Sequence, residues 1–142
     1  MIMKKRDLDV SAREQVVNKI SSYLNEEHEE IAAAYVFGSF STAEPFCDID
    51  LAIIVQRDVV NPAAFEIDLE SRLEKIVKYR VDVRIINRAP LAFCHDVIRD
   101  GRVIVDRDAN LRADFQGKIL KKYFDFVPFR RRYLNEVVNA PV

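Results

Sequence analysis

Two apolar segments joined by a short connection constrain the fold of this chain more than any other feature. The run Ile31–Phe37 is apolar throughout and is followed by Gly38, and the run Asp48–Val55 is apolar after its first residues. Such short apolar runs, bounded by turn residues, are typical of buried β-strands. A helical crossover needs a dozen or more residues, which the segment 38–47 does not provide. We therefore predict that the two strands are antiparallel neighbours.

Hydrophobic spacing predicts the remaining elements of the fold. Ser11 and Glu14 have the spacing of a capping box, and Asn61-Pro62 fits an N-cap followed by proline at the first helical position. The expected helices are 11–27, 62–78, Pro90 to near Arg99, 110–126 and 128–138, and the further strands are 80–86 and 102–105. The order α-β-β-α-β-α-β-α-α predicts an α/β (α+β) fold, a small mixed sheet with flanking helices.

Composition excludes several classes of protein. The net charge of −1 provides no global field for nucleic acid, so no direct DNA binding is expected. Cys47 and Cys94 form no CxxC pair, which argues against a thiolate zinc site. The basic N-terminus is not followed by an apolar run, and no stretch reaches the ~18 apolar residues of a membrane span. We expect a cytoplasmic protein without membrane association.

The turn after the first strand has the composition of a phosphate-binding element. Gly38 has no Cβ atom, so backbone there can approach a ligand closely. Ser39 adds a hydroxyl group, and the segment 40–44 can present free N–H groups. Alternatively, Gly38 merely ends a strand and Ser39 merely caps a helix.

Three aspartates follow this turn at positions that strand geometry can bring together. Asp48 and Asp50 are two residues apart in a strand, so their carboxylates share a face and repel each other unless a proton or a hard cation such as Mg²⁺ intervenes. Asp82 lies inside the apolar run RVDVRII, where an unpaired acid is costly. If the third strand lies beside the second, the three acids form a two-metal phosphoryl-transfer site. A structural pair of Asp82 with Arg84 is the alternative.

These residues resemble a known family signature. Gly38-Ser39, Asp48-Ile49-Asp50 and Asp82 resemble the minimal nucleotidyltransferase domains of the DNA polymerase β superfamily. VDVRIINRAP resembles the family's third strand and following turn, and FCHDVIRDGRVIVDRD resembles its next helix, glycine turn and short strand. The spacer from Phe40 to Cys47 is shorter than the family's usual one and lacks its Arg-Gly.

The resemblance implies a polymerase β-type fold and a Mg²⁺-dependent nucleotidyltransferase that moves AMP from ATP to a hydroxyl. It implies that Asp48, Asp50 and Asp82 are catalytic and bind two metal ions, while Gly38 and Ser39 bind the nucleotide. Small members of this family resemble antitoxins, so the implied acceptor is a tyrosine of a HEPN-domain toxin partner. The alternatives are a degenerate antitoxin that acts by binding alone and a small-molecule nucleotidyltransferase. The sequence also leaves open whether the chain forms a homo-oligomer.

One domain is expected over 1–142, with an N-terminal helix 11–27, a catalytic core 30–106 and C-terminal helices 109–138. We expect His95 and Cys47 to have packing roles and His28 to lie at a solvated helix end. The C-terminal segment is basic and rich in aromatic residues, so it forms either a solvated face or a protein-docking surface. Its relevant residues are Arg112, Lys118, Lys121, Lys122, Arg130, Arg131, Arg132, Tyr123, Phe124, Phe126, Phe129 and Tyr133.

Overall fold

The computed structural model describes residues 5–139 and shows four strands and four helices over that range. The mixed α+β architecture predicted from the sequence is confirmed. In chain order the elements are α1 (Val10–Glu27), β1 (Ile31–Phe37), β2 (Asp48–Val55), α2 (Pro62–Val77), β3 (Arg80–Ile85), α3 (Leu91–Asp100), β4 (Arg102–Asp106) and α4 (Ala109–Asn139).

The four strands form one sheet in the order β3-β2-β1-β4. β1 pairs with β2 in antiparallel fashion, as the short connection predicts, and it pairs antiparallel with β4 on its other side. β3 lies beside β2 and runs parallel to it, with α2 as the crossover helix between them. The arrangement sets the start of β2 next to the start of β3.

Each face of the sheet is covered by a pair of helices. Alternate residues of β2, such as Ile49 and Leu51, belong to a core cluster with buried side chains of α1 and α2. The intervening residues, such as Ala52 and Ile54, pack with α3 and α4. Because strand side chains alternate, Asp48 and Asp50 lie on this second face.

Helix caps confirm one expectation and correct another. Asn61 accepts a hydrogen bond from the Ala64 N–H at 3.1 Å and precedes Pro62, as predicted. The N-cap of α1 is Asp9, whose Oδ1 accepts from the Ala12 N–H at 2.7 Å, so Ser11 lies inside the helix and the predicted capping box is wrong. Asp9, two residues before Ser11, is an equally good cap, and with this cap the helix begins at Val10.

The C-terminal segment forms a single helix, so the prediction of separate helices 110–126 and 128–138 is wrong. α4 runs without interruption from Ala109 to Asn139 with Pro128 inside it. Proline already has a helical φ, and its cost is a lost N–H bond and a crowded preceding turn. None of the helices described over residues 5–139 combines the length and the apolar character needed to cross a membrane.

Carboxylates of α2 close the outer edge of β3. Glu74, Glu70 and Glu66 lie one helical turn apart and accept hydrogen bonds from the backbone N–H groups of the edge strand. The donors are Val81, Val83 and Ile85, and the distances are 3.1, 2.8 and 2.9 Å. An exposed strand edge invites pairing with other chains, and this glutamate ladder covers the N–H groups that such pairing would use.

Candidate active site

The register of the parallel strands brings the predicted acids onto one face of the sheet. Asp50 of β2 is the direct partner of Asp82 in β3, and Asp48 is the partner of Arg80. Directly paired residues point to the same face, so Asp82 joins Asp48 and Asp50 as expected from a neighbouring third strand. The structure therefore gathers three carboxylates at the starts of two adjacent strands.

Asp50 carries the clearest electrostatic signature of this arrangement. Burial, the Asp82 carboxylate and the Asp48 carboxylate together raise the pKa of Asp50 from 3.8 to about 6, while the Arg84 guanidinium opposes the rise. Burial is the largest cause, and the two neighbouring carboxylates add to it. The ionised form of Asp50 is therefore disfavoured by desolvation and by like charge.

Asp48 and Asp82 differ in exposure. Asp48 Oδ1 is a buried oxygen without a hydrogen-bond partner, and the nearest guanidinium atom of its ion pair, Arg80 Nε, lies 3.7 Å away. Asp82 is exposed and lies beside Glu70, whose pKa is raised chiefly by burial and further by the Asp82 carboxylate. Asp48 and Asp82 both line a cavity of about 310 Å³ at this edge of the sheet. Of the three acids, Asp82 is the one most accessible to an incoming molecule.

The donor atoms fit a divalent cation in kind. All three side chains are carboxylates, the donor type that Mg²⁺ prefers, and Asp48 Oδ1 is an orphaned oxygen on the same face. A cation there would also lower the pKa of Asp50, which burial and the two neighbouring carboxylates raise. As placed, no group of three or more His, Cys, Asp or Glu side chains among residues 5–139 is arranged to hold a metal ion. The three acids therefore fit a divalent cation by the type of their donor atoms and by the face that they share.

Gly38 follows β1 directly and lies against the same acids. Its φ of +77° falls in the left-handed region, which side chains with a Cβ atom rarely adopt. A Cβ atom on Gly38 would collide with Oδ2 of Asp50. The sequence suggested that glycine stands here so that the backbone can approach a ligand. The structure gives another reason, the left-handed φ, and it shows that the space is filled by a carboxylate of the site itself.

The backbone of the turn after Gly38 is partly self-bonded. The Ser41 N–H donates to the Gly38 carbonyl at 3.1 Å, and the Glu44 N–H donates to the Ser39 carbonyl at 3.1 Å. Within the described part of the chain, the N–H groups of Ser39 and Phe40 have no hydrogen-bond acceptor. Two adjacent N–H groups of this turn are thus unbonded within the described residues, as a phosphate-binding element requires.

Arg84 and the histidines take positions that sequence patterns only partly indicate. The Arg84 guanidinium lies over the Phe93 ring at 5.2 Å, and residues 5–139 contain no ion pair between Arg84 and Asp82. His95 is buried and stacks on Tyr123 at 3.5 Å, in agreement with a packing role. His28 lies at the end of α1 among exposed glutamates, as expected, but its own side chain is only 13% exposed and bonds Glu30 Oε1 at 2.8 Å.

Two further predictions concern residues at the margins of the site. Cys47 is half-buried beside Asp48, as a packing role requires. In the C-terminal segment, Phe124 and Tyr133 are exposed, while the side chains of Phe129 and Arg130 lie outside the part that the structure describes. The docking surface therefore stays a prediction.

One buried charge near the turn is not among the residues predicted from the sequence. Arg13 of α1 is 6% exposed and donates hydrogen bonds to backbone carbonyls of the segment 38–45. A signal was available, because Arg13 precedes Val16, Val17 and Ile20 at helical spacing and so continues the apolar stripe of the helix. An arginine on such a stripe needs carbonyl or carboxylate partners from another segment.

A family model described as "Polymerase beta, Nucleotidyltransferase" matches residues 18–110 of the chain. A comparison with curated proteins finds no significant match. Among solved structures, a chain of the toxin–antitoxin MntA-HepT aligns with a TM-score of 0.68 at 20% identity, covering 88% of this chain and 98% of that chain.

Two other structures are similar to the same extent. One is a tri-AMPylated Shewanella oneidensis HEPN toxin in complex with MNT antitoxin, with a TM-score of 0.69, 21% identity, and coverage of 89% of this chain and 98% of that chain. The other is a toxin-antitoxin with AMP-PNP, with a TM-score of 0.69, 22% identity, and coverage of 86% and 98%. At these identities the likeness shows a shared fold.

Proposed function

Because the chain belongs to the polymerase β nucleotidyltransferase family, we propose that it transfers AMP from ATP to a hydroxyl group and releases pyrophosphate. The observation that carries this proposal is the meeting of Asp48, Asp50 and Asp82 on one face, next to the turn that begins at Gly38. Nucleotidyl transfer needs negative charge to hold cations and a backbone element to hold phosphates, and this site offers both.

Each residue has a distinct role in the proposed reaction. Asp48 and Asp50 would hold Mg²⁺ on the nucleotide side, and Asp82 would hold a second ion on the acceptor side. Such ions stabilise the charge that develops on the phosphoryl oxygens and the entering hydroxyl. The free N–H groups of Ser39 and Phe40, with the Ser39 hydroxyl, bind the triphosphate.

The reaction itself is a displacement at the α-phosphorus. The acceptor oxygen forms a new P–O bond, and the bond between the α-phosphorus and the bridging oxygen to the β-phosphorus breaks, so that pyrophosphate leaves. The hydroxyl proton passes to Asp82, whose exposure fits a group that meets the acceptor. Positioning and charge supply most of the rate in such transfers.

A tyrosine of a HEPN-domain partner is the proposed acceptor, which makes the chain an antitoxin. Support comes from the similar solved structures, one of which holds a tri-AMPylated HEPN toxin with an MNT antitoxin and another AMP-PNP.

Incubation with labelled ATP, Mg²⁺ and a HEPN-domain partner protein tests the proposal. We expect label on the partner, a mass increase of one AMP per modified tyrosine, and release of pyrophosphate. One observation favours a second candidate, an antitoxin that acts by binding alone: among the described residues, the three acids are not placed as a ready-made group of three metal ligands. A partner that is silenced in a stable complex but never labelled would establish that second candidate instead.

A further inference from the structure

A single arginine connects helix α1 to the turn of the candidate nucleotide site. The Arg13 Nη1 donates to the Phe40 carbonyl at 2.7 Å, and Nη2 donates to the Glu44 carbonyl at 2.8 Å. Nε donates to the Leu8 carbonyl at 2.9 Å, ahead of the helix. One planar guanidinium therefore fixes two carbonyls of the same turn at a set separation and anchors them to α1.

The environment of this guanidinium shows that the contact is built into the fold. The Arg13 guanidinium lies over two buried aromatic rings that contact each other, 5.3 Å from the centre of Phe40 and 5.0 Å from that of Phe46. The nearest carboxylate is that of Asp7, which is 74% exposed and 3.4 Å away. The charge is therefore balanced mainly by carbonyl dipoles of the turn and by ring faces.

The same carbonyls control how the turn presents its N–H groups. Phe40 supplies both an N–H group without an acceptor in the described chain and the carbonyl that Arg13 Nη1 holds. Holding that carbonyl and the one of Glu44 against α1 restricts rotation of the peptides that follow the free N–H groups. A turn with these carbonyls released would have more backbone conformations, and binding a phosphate would then carry the cost of ordering it.

We propose that Arg13 is a positioning residue for nucleotide binding, which holds the segment 38–45 in the conformation that receives the triphosphate. The inference rests on the proposed function, and it adds to the site a residue that touches neither substrate nor metal. A merely structural arginine would affect stability and leave the nucleotide affinity of the folded protein unchanged. A positioning arginine changes the affinity of protein that is still folded.

The chain contains a matched control at the other end of the same helix. Arg107 donates to carbonyls of Asn25 at 2.8 Å, Ile31 at 3.2 Å and Leu24 at 3.3 Å. Like Arg13, it joins the end of α1 to another segment through backbone carbonyls. It is more exposed than Arg13 and contacts no part of the segment 38–45. Arg107→Lys therefore repeats the chemical change without disturbing the turn.

The test compares Arg13→Lys, Arg107→Lys and wild type by calorimetric titration with Mg²⁺ and an ATP analogue whose α–β bridging oxygen is a methylene group. Lysine keeps the charge but cannot bind both turn carbonyls through a planar fork. We expect Arg13→Lys to bind the analogue about tenfold more weakly, the effect of roughly one lost charge-assisted hydrogen bond. Arg107→Lys should bind like wild type.

Kinetics with ATP and the HEPN-domain acceptor add a second readout. Arg13→Lys should raise the KM for ATP by a similar factor, with kcat changed much less, because the acids and the acceptor side are untouched. Equal affinity for Arg13→Lys and wild type, with both folded by circular dichroism, would refute the positioning role. Wild type that binds no analogue at all would refute the nucleotide site itself, so the two failures are distinguishable.

A measurement on wild type alone covers the case in which Arg13→Lys does not fold. Binding and turn closure are thermodynamically linked, so a nucleotide that needs the Arg13 contact must also stabilise it. We expect hydrogen exchange at the Arg13 Nε–H to slow at least tenfold when the analogue is near saturation, while exchange at Arg107 stays constant. Unchanged exchange at Arg13 in nucleotide-bound protein would overturn the proposal.

Discussion

The Asp50 carboxylate occupies the space that a Cβ atom on Gly38 would need. The glycine after β1 and the acid in β2 are cross-strand neighbours at the end of the Phe37–Asp50 pairing. Glycine at position 38 thus leaves room for the Asp50 carboxylate beside the end of β1. It also allows the chain to turn there with a positive φ. Any side chain at position 38 disturbs both the turn and the acid cluster.

We expect Gly38→Ala to reduce the free energy of unfolding by about 1–2 kcal/mol, because of the left-handed backbone and the displaced carboxylate. Nucleotide affinity in the presence of Mg²⁺ should fall by a larger factor than this loss of stability explains. Urea unfolding and calorimetry on the same preparation would measure the two effects.

Gly117→Ala is the matched control for that substitution. Gly117 lies inside α4, and a Cβ atom there would meet no atom within 4 Å. Alanine favours a helix interior over glycine by roughly 1 kcal/mol, so stability should rise and nucleotide binding should stay constant. Gly38→Ala protein as stable and as nucleotide-competent as wild type would show that the collision with Asp50 is relieved at no cost.

The raised pKa of Asp50 predicts a pH dependence of stability. The folded protein holds this proton more tightly than the unfolded chain, since the pKa rises from 3.8 to about 6. The stabilising contribution is therefore complete below about pH 4 and lost as pH rises through about 6. Without divalent cations, Asp50→Asn should be more stable than wild type at neutral pH by roughly 1–2 kcal/mol, a value reduced for partial solvation.

Urea unfolding at a series of pH values measures this difference directly. The advantage of Asp50→Asn should shrink as the pH falls from neutral towards 4 and vanish below about 4. A constant difference between the variant and wild type across that range would show that the pKa of Asp50 is not raised in the folded protein.

Divalent cations should relieve the repulsion among the carboxylates of Asp48, Asp50 and Asp82. We expect Mg²⁺ or Mn²⁺ to raise the melting temperature of wild type, with a gain in free energy of about 2.7 kcal/mol at a hundredfold excess over Kd. Asp48→Asn combined with Asp50→Asn should abolish the response. Asp58→Asn combined with Asp68→Asn removes two exposed carboxylates elsewhere and should keep it. A wild-type melting temperature indifferent to both ions, even with ATP, would contradict a metal site.

Asp82→Asn should separate catalysis from folding. Asp82 is exposed on the edge strand, so its amide replacement should change the melting temperature little. AMP transfer should fall by roughly 10²-fold or more, because the acceptor side loses both its charge and its proton acceptor. Nucleotide affinity should change far less, since Asp48, Asp50 and the turn are intact. Full transfer rates for Asp82→Asn would remove Asp82 from the proposed mechanism.

The glutamate ladder gives a prediction about the sheet edge. Glu66 lies furthest along α2 from the acids and accepts from the Ile85 N–H at 2.9 Å. Glu66→Ala should lower the free energy of unfolding by about 1 kcal/mol, while Glu66→Gln keeps an acceptor oxygen and should lower it less.

Removing all three carboxylates by alanine substitution should promote self-association through β3, measurable by sedimentation. A triple variant that associates no more than wild type at high concentration would show that another feature protects this edge.

Local patterns predicted the strands and the acids because their causes are local. Alternation placed Asp48 and Asp50 on one face, and the short connection required antiparallel pairing with β1. The pairing of Asp50 with Asp82 needed only the assumption that β3 joins β2. These inferences depend on the alternation of side chains along a strand and on the length of the connection between two strands, and both can be read directly from a sequence.

Features that depend on competition or on distant contacts could not be predicted in this way. Asp9 and Ser11 are both good caps, and sequence alone did not decide between them. Pro128 is compatible with either a helix start or a helix interior, and the observed helix continues through it. The partners of Arg13 lie 27 and 31 residues away along the chain, so only the folded structure identifies them.

The Arg13 contact also bears on what counts as the smallest working unit of this fold. The segment that matches the family model begins at residue 18, so it contains Gly38 and all three aspartates but excludes this arginine. A protein shortened to the matched segment would keep every signature residue and lose the contacts that hold the turn after β1. Boundaries drawn from shared sequence can thus fall inside a functional module, and homologous chains could carry different solutions for the same support in their unshared flanks.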